Sequence, residues 1–197
     1  MKLYKKLPYT VIVDGKRYKL MPYFDRVLYA MDVMRGEGSY QQKVDAACYL
    51  LIKNKKIHNK IKVLSATLDL LVGTGSGDDE EKQFDFDQDA EFIFASFFQA
   101  YGINLFERLD IDGQKPLHWC EFMALFKALP DDTRMAQIIS IRTQKLPAPT
   151  KHNAEIRQQI MRQKMAFALK KTEEERQRAF QKGLRNLWNN MIKIARE

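Results

Sequence analysis

Nine of the chain's twelve phenylalanines fall within residues 84–142: Phe84, Phe86, Phe92, Phe94, Phe97, Phe98, Phe106, Phe122 and Phe126. Side chains this large and apolar are most stable out of water, so whatever fold forms must close around this segment. Asp87 and Asp89 stand where the positive end of a helix dipole favours carboxylates. An apolar run continues from there to Tyr101, and Gly102 supplies a C-terminal stop. At 100° per residue, Ile93, Phe94, Phe97, Phe98 and Tyr101 share one arc, with Glu91, Ser96 and Gln99 opposite. Phe92 alone falls on the polar arc, which marks it as a candidate contact for a partner.

Beyond a loop carrying Asp112, Gly113 and Pro116, the spacing predicts a second helix from about His118 to Leu129, with Trp119, Phe122, Met123, Leu125, Phe126 and Leu129 on one face. Pro130 ends it. Asp131 and Asp132 offer N-caps for a third, short helix in which Met135, Ile138 and Ile139 recur before Arg142. His118 projects with the aromatic face and reads as a core or capping histidine rather than a ligand or base.

These elements, in this order, resemble the bacteriophage gene-product-fifteen family, found among the tail genes of siphophages and prophages of Gram-positive bacteria. The residues that carry the resemblance are Gln99, Tyr101, Gly102 and Ile103; His118 and Trp119; Phe122 and Leu125; Leu129, Pro130, Asp132 and Thr133; and Ile138, Ile141 and Arg142. Cys120 stands where the family commonly has a second Trp, and the loop from Glu107 to Lys115 is longer than usual. The resemblance implies a protein similar to tail assembly chaperones, which act while the tail is built around its tape-measure protein. Implied partners are the tape-measure protein and the tail tube protein, and the implied location is the host bacterial cytoplasm. No catalytic residues come with the family, and no cofactor or metal is expected for this chain.

Length and charge are consistent with such a role. The chain has 197 residues, 45% of them hydrophobic and 11% aromatic, enough for one core domain and an appendage. Residues 1–72 hold 14 Lys/Arg against 6 Asp/Glu, residues 78–112 hold 2 against 11, and residues 151–197 hold 12 against 5. Alternating signs of this kind favour self-complementary packing or self-association over the uniformly basic surface of a nucleic-acid binder. Cys48 and Cys120 lack paired spacing, so reduced thiols are expected. Neither an apolar run of about eighteen residues nor a secretory leader is present, so no membrane is expected as a partner.

Taken from the N-terminus, residues 11–20 read as a β-hairpin turning at Asp14-Gly15. Pro22 opens a helix presenting Phe24, Val27, Leu28, Met31 and Met34, which Gly36 and Gly38 close. Ser39 and Gln42 form a capping box for a helix running to about Asn54 that buries Val44, Ala47, Cys48 and Leu51. A third helix aligns Ile57, Ile61, Leu64, Leu68 and Leu71. Lys55, Lys56, Lys60 and Lys62 at its start oppose the dipole, which calls for a partner or an acidic neighbour.

Residues 73–82 form an acidic, glycine-rich loop. It lacks the Lys-Ser/Thr of a phosphate-binding loop, and the Asp85, Asp87, Asp89 run lacks the glycine and final glutamate of a calcium loop. The expected architecture is therefore mainly α: a helical bundle with one short N-terminal β-hairpin and a long C-terminal amphipathic helical tail. It divides into a core domain over residues 1–143, a Pro147/Pro149 linker over residues 144–152 and a basic tail over residues 153–197. Thr172 and Glu175 form a second capping box in that tail. Phe180, Leu184, Leu187, Trp188 and Met191 line one side of it as candidate partner contacts, opposite Arg178, Lys182, Arg185, Lys193 and Arg196.

No Ser/His/Asp or Cys/His order and no metal spacing points to catalysis, so a non-enzymatic binding protein is expected. The alternative is a nucleic-acid-binding accessory protein using the basic tail, but aromatics do not interleave with its cations as a strand-binding groove requires. Any nucleic-acid binding is accordingly expected to be weak and nonspecific and to fade between low and physiological salt. A filter-binding titration checks this, and a salt-resistant complex with one sequence would reverse the ranking.

Overall fold

The computed structural model describes residues 5–73, 82–108 and 116–170. The chain divides into two compact units, Met1–Ser140 and Ile141–Glu197. The first is mainly helical with a two-stranded antiparallel sheet, the only sheet among the described residues.

β1 (Thr10–Val13) pairs with β2 (Lys16–Lys19) so that Val11 faces Tyr18 across the ladder. Asp14 and Gly15 both take positive φ, 51° and 73°, the backbone a two-residue type I′ turn needs. Val11, Val13 and Tyr18 point into the core, while Ile12 faces outward.

α1 (Phe24–Arg35) buries Phe24, Val27 and Ala30, with Leu28, Met31 and Met34 packed at its flank. It starts two residues after Pro22, because the intervening chain is paired elsewhere. The Phe24 amide donates to the Leu117 carbonyl at 3.0 Å, and the Trp119 amide to the Pro22 carbonyl at 2.7 Å.

α2 (Tyr40–Leu51) opens on the expected capping box, the Ser39 hydroxyl and Gln42 amide satisfying each other's backbone. It ends at Leu51 rather than near Asn54, because Ile52 leaves the helix to bridge Leu20. The Met21 amide donates to the Leu51 carbonyl at 2.8 Å, and the Lys53 amide to the Lys19 carbonyl at 2.9 Å. The end of the hairpin is thereby stitched to the end of α2.

α3 (Lys60–Leu71) begins later than the apolar pattern suggests, with the Asn59 side chain accepting from the Lys62 amide at 3.1 Å. Lys55 and Lys56 therefore lie outside the helix. The buried face is Val63, Leu64, Thr67 and Leu71, whereas Ile61 is exposed. Thr67 enters the core because its hydroxyl donates to the Val63 carbonyl at 2.7 Å, which removes its polar penalty. The two lysines at the helix start do have acidic neighbours: Lys60 pairs with Asp45 at 2.9 Å, and Lys62 pairs with Asp14.

α4 (Ala90–Tyr101), a 3-10 turn at Leu105–Arg108, α5 (Trp119–Lys127) and α6 (Arg134–Thr143) supply the aromatic half of the core. Gly102 ends α4 in the left-handed conformation, φ 62°, as a C′ glycine should. The arc expected for α4 is rotated. Ile93, Ser96 and Phe97 are inside, and Phe98 is 57% exposed. Ser96 is fully buried because its hydroxyl accepts the Met135 amide at 3.0 Å, one of the N–H groups that the start of α6 leaves unpaired. The residue preceding α6 is Thr133, not Asp131 or Asp132. Its hydroxyl donates to the Pro130 carbonyl at 2.6 Å, and it is fully buried while both aspartates are exposed.

Phe122 lies at the centre. It stacks on Phe24 at 5.0 Å and on Phe97 at 5.1 Å, each at 14° between planes, and also touches Trp119, Phe86 and Phe126.

In the second unit, residues 144–150 are extended and exposed, then α7 (Ala154–Ala166) follows. The Asn153 side-chain Oδ1 accepts the Thr150 amide at 2.9 Å, its Nδ2 donates to the Ala148 carbonyl at 2.8 Å, and Arg157 donates to the Pro147 carbonyl. The proline segment is thus tied to the start of α7. Thr172, Glu175 and the later tail pattern lie outside the described residues.

Phe122→Ala is expected to cost about 3–5 kcal/mol. Ser96→Ala should cost about 1–3 kcal/mol by orphaning the buried Met135 amide, and Phe98→Ala should stay within roughly 0.5 kcal/mol. Urea unfolding of the three variants checks the order. Equal losses at Ser96 and Phe98 would contradict the rotation of α4.

Candidate interaction surface

The entry to α4 is a closed polar turn. One Asp85 carboxylate oxygen accepts the amides of Asp87 at 2.9 Å and Gln88 at 3.0 Å, and the Asp89 carboxylate accepts the Asp85 amide at 2.9 Å. Asp85 also pairs with Lys82, and Arg35 of α1 reaches Asp87 at 2.9 Å. Burial alone would push Asp85 upward, but Lys82 and the two amides outweigh it and hold the carboxyl below its ordinary range. Asp85 and Asp89 are therefore committed to backbone donors, which fixes where α4 starts and how it is rotated.

That rotation leaves an aromatic face outside. Phe94 and Phe98 stack at 6.3 Å with 14° between planes, and Phe106 comes within 5.0 Å of Phe94. Phe98 is 57% exposed and Phe106 66%. Phe106 is presented by a short local device: buried Leu105 anchors the 3-10 turn, and the Asn104 side chain accepts the Phe106 amide at 3.1 Å while donating to Glu107 at 2.9 Å. Exposed tyrosines such as Tyr29, Tyr40 and Tyr49 are ordinary, since each carries a hydroxyl that suits water. Contacting phenylalanine rings left outside are a different matter, because an apolar cluster of this kind marks an interaction surface.

The residues singled out in the sequence are distributed as follows. Phe92 is half-buried and packed against the core, so the outward aromatic of α4 is Phe98 and the expected polar-side position of Phe92 is corrected by the tilt that buries Ser96. Gln99 is exposed, and Tyr101 donates its hydroxyl to the Leu125 carbonyl at 2.9 Å, locking α4 to α5. Trp119 is buried, Pro130 is exposed with its carbonyl used by Thr133, and Arg142 donates to the Phe167 carbonyl at 2.6 Å. Phe180, Leu184, Leu187, Trp188 and Met191 lie outside the described residues. The patch itself was missed. A visible signal was Phe106, a phenylalanine outside any helical period, which no amphipathic face would bury.

His118 is a structural cap. Its Nδ1 accepts the Cys120 amide at 3.0 Å, Glu121 returns a bond to the His118 amide at 3.1 Å, and Nε2 lies 3.3 Å from the Pro8 carbonyl. An accepting Nδ1 and a carbonyl at Nε2 require the neutral Nε2–H tautomer. Cys48 is likewise inert: burial pushes its thiol up to about 11, and its Sγ donates to the Lys60 carbonyl at 3.6 Å.

The model of the family described as Bacteriophage Gp15 protein matches residues 3–169. The chain belongs to this family. No curated protein and no solved structure matches it. The match takes in the hairpin, α1 to α7 and the whole aromatic patch, so the surface lies within the Gp15 region of the chain. Among the described residues no helix is long and apolar enough to cross a membrane.

Burial lowers the His118 pKa below its ordinary value of about 6.5, with the Pro8 carbonyl and Glu121 opposing but not cancelling it. The unfolded imidazole therefore takes up its proton first as pH falls, and stability drops from about pH 7 downward. His118→Asn, which keeps an acceptor at the cap, should flatten that dependence between about pH 7 and pH 5. Urea midpoints measured against pH check it; parallel slopes for the two proteins would rule out His118 as the origin.

Proposed function

We propose that this Gp15 family member is a non-enzymatic tail assembly chaperone that binds amphipathic helical segments of the tape-measure protein and shields them until tail tube subunits replace it. The observation that carries the reading is the exposed Phe94–Phe98–Phe106 cluster on a rigidly rotated helix. A long helical partner awaiting its tube exposes apolar stripes to water in the host cytoplasm, and a surface of bare aromatic rings is the complement of such a stripe. Binding must also be reversible. A small patch of three rings suits an occupant that is later displaced.

Co-expression with the tape-measure protein of the same phage, followed by affinity capture, tests this. The wild-type chain is expected to co-purify with the tape measure and keep it in solution. Phe98→Ser combined with Phe106→Ser should weaken the complex by about tenfold or more while leaving the thermal melt near wild type. Absence of a complex, or equal capture by both proteins, would reject the proposal.

A further inference from the structure

Two exposed glutamates lie close to the aromatic patch in sequence. Glu91 lies seven residues before Phe98 on α4, within about 20° of the same helical line, and Glu107 follows Phe106 directly. Neither carboxylate has an ion pair among the described residues, unlike Asp85 and Asp87 of the same segment. An occupant that matches this surface carries apolar side chains at helical spacing and a net positive charge. Residues 176–197 of the same chain have that chemistry: Phe180, Leu184, Leu187, Trp188 and Met191 recur at helical intervals, and six Lys/Arg accompany a single Glu.

We propose that, before a partner is engaged, the Phe94–Phe98–Phe106 patch of one chain is covered by the C-terminal basic segment of a second copy. This rests on reading the patch as a helix-binding surface, and it adds what occupies that surface when the tape measure is absent. Size favours reciprocal exchange over a single contact. Phe180, Leu187 and Trp188 together remove roughly 400–600 Å² from water on their own side. One such contact, even with a similar area on the patch, falls short of or barely reaches the roughly 1,200–2,000 Å² of a stable interface, whereas two related by a two-fold axis meet it. The net positive charge of the segment then meets the field of Glu91 and Glu107 on the other copy, which steers association and partner choice more than it adds affinity.

Sedimentation velocity on the full-length chain over a concentration series tests this without any tape-measure protein present. The wild type is expected to double its mass with rising concentration, and raised salt should shift that transition to higher concentration. Phe98→Ser with Phe106→Ser should raise the dimer dissociation constant at least tenfold. Two charge-reversed chains supply a test that does not depend on removing aromatics: Glu91→Lys with Glu107→Lys, and Arg178→Glu with Lys182→Glu and Arg185→Glu. Each alone should remain monomeric, since patch and tail then repel. An equimolar mixture should recover the dimer, since each chain's tail again complements the other's patch.

A wild type that stays monomeric throughout, including one whose tail folds onto its own patch, overturns the proposal, as does a mixture no more associated than its components. Self-association without tape-measure binding would leave this inference standing and remove the chaperone reading. Tape-measure binding by a strictly monomeric chain would do the reverse.

Discussion

Phe122 packs on Phe24 of α1 and Phe97 of α4, nearly parallel to both, and also contacts Trp119, Phe86 and Phe126. Through these contacts one side chain of α5 joins α1, α4 and the approach to α4. Offset-stacked rings contribute roughly 0.5–1.5 kcal/mol per pair beyond the area they bury. The geometric consequence matters more: two parallel stacks on one ring leave α4 little freedom to roll about its axis. With Phe97 fixed against Phe122 and Ile93 also buried, the inward direction falls on the Ser96 side of Phe97 and Phe98 turns outward.

The polar groups of this unit follow the same constraint. A serine turned inward needs a partner, and the start of α6 supplies one in the Met135 amide. The entry of α4 is closed by Asp85 and Asp89 accepting backbone N–H groups, and Arg35 draws α1 toward the same turn. On the opposite side, His118 caps α5 while the chain before α1 pairs with the chain before α5, Tyr23 against His118. The buried donors and acceptors among these, such as Ser96 with the Met135 amide, would each cost about 1–3 kcal/mol if left unpaired, so the aromatic core and its polar seams specify one arrangement together.

A surface arises as the by-product of that arrangement. Once α4 is fixed, Phe94 packs only partly against the core and Phe98 and Phe106 remain exposed beside it, with Glu91 and Glu107 nearby in sequence. Folding of the unit therefore exposes a small apolar area, and a protein that keeps such an area must have something to cover it with. The Gp15 family match places this surface in a bacteriophage protein, and the opposite charge of the C-terminal segment places a complementary sequence in the same chain.

Local chemistry sufficed for what is written in short spans of sequence. Asp14-Gly15 specified the hairpin turn because both residues tolerate positive φ. Ser39 with Gln42 specified the start of α2, Gly102 the end of α4, and His118 its own capping role, since each acts within four residues of itself. Tertiary structure alone decided where partners came from elsewhere. α2 stops at Leu51 because Ile52 bridges Leu20, the α3 face turns toward Thr67 because a threonine hydroxyl can bond within its own helix, and α4 rolls because Phe97 stacks on Phe122 twenty-five residues away. A hydrophobic arc read from sequence counts apolar side chains. It cannot register that a buried serine with a partner is cheaper than a buried phenylalanine without a cavity, and that difference moved Phe98 to the surface.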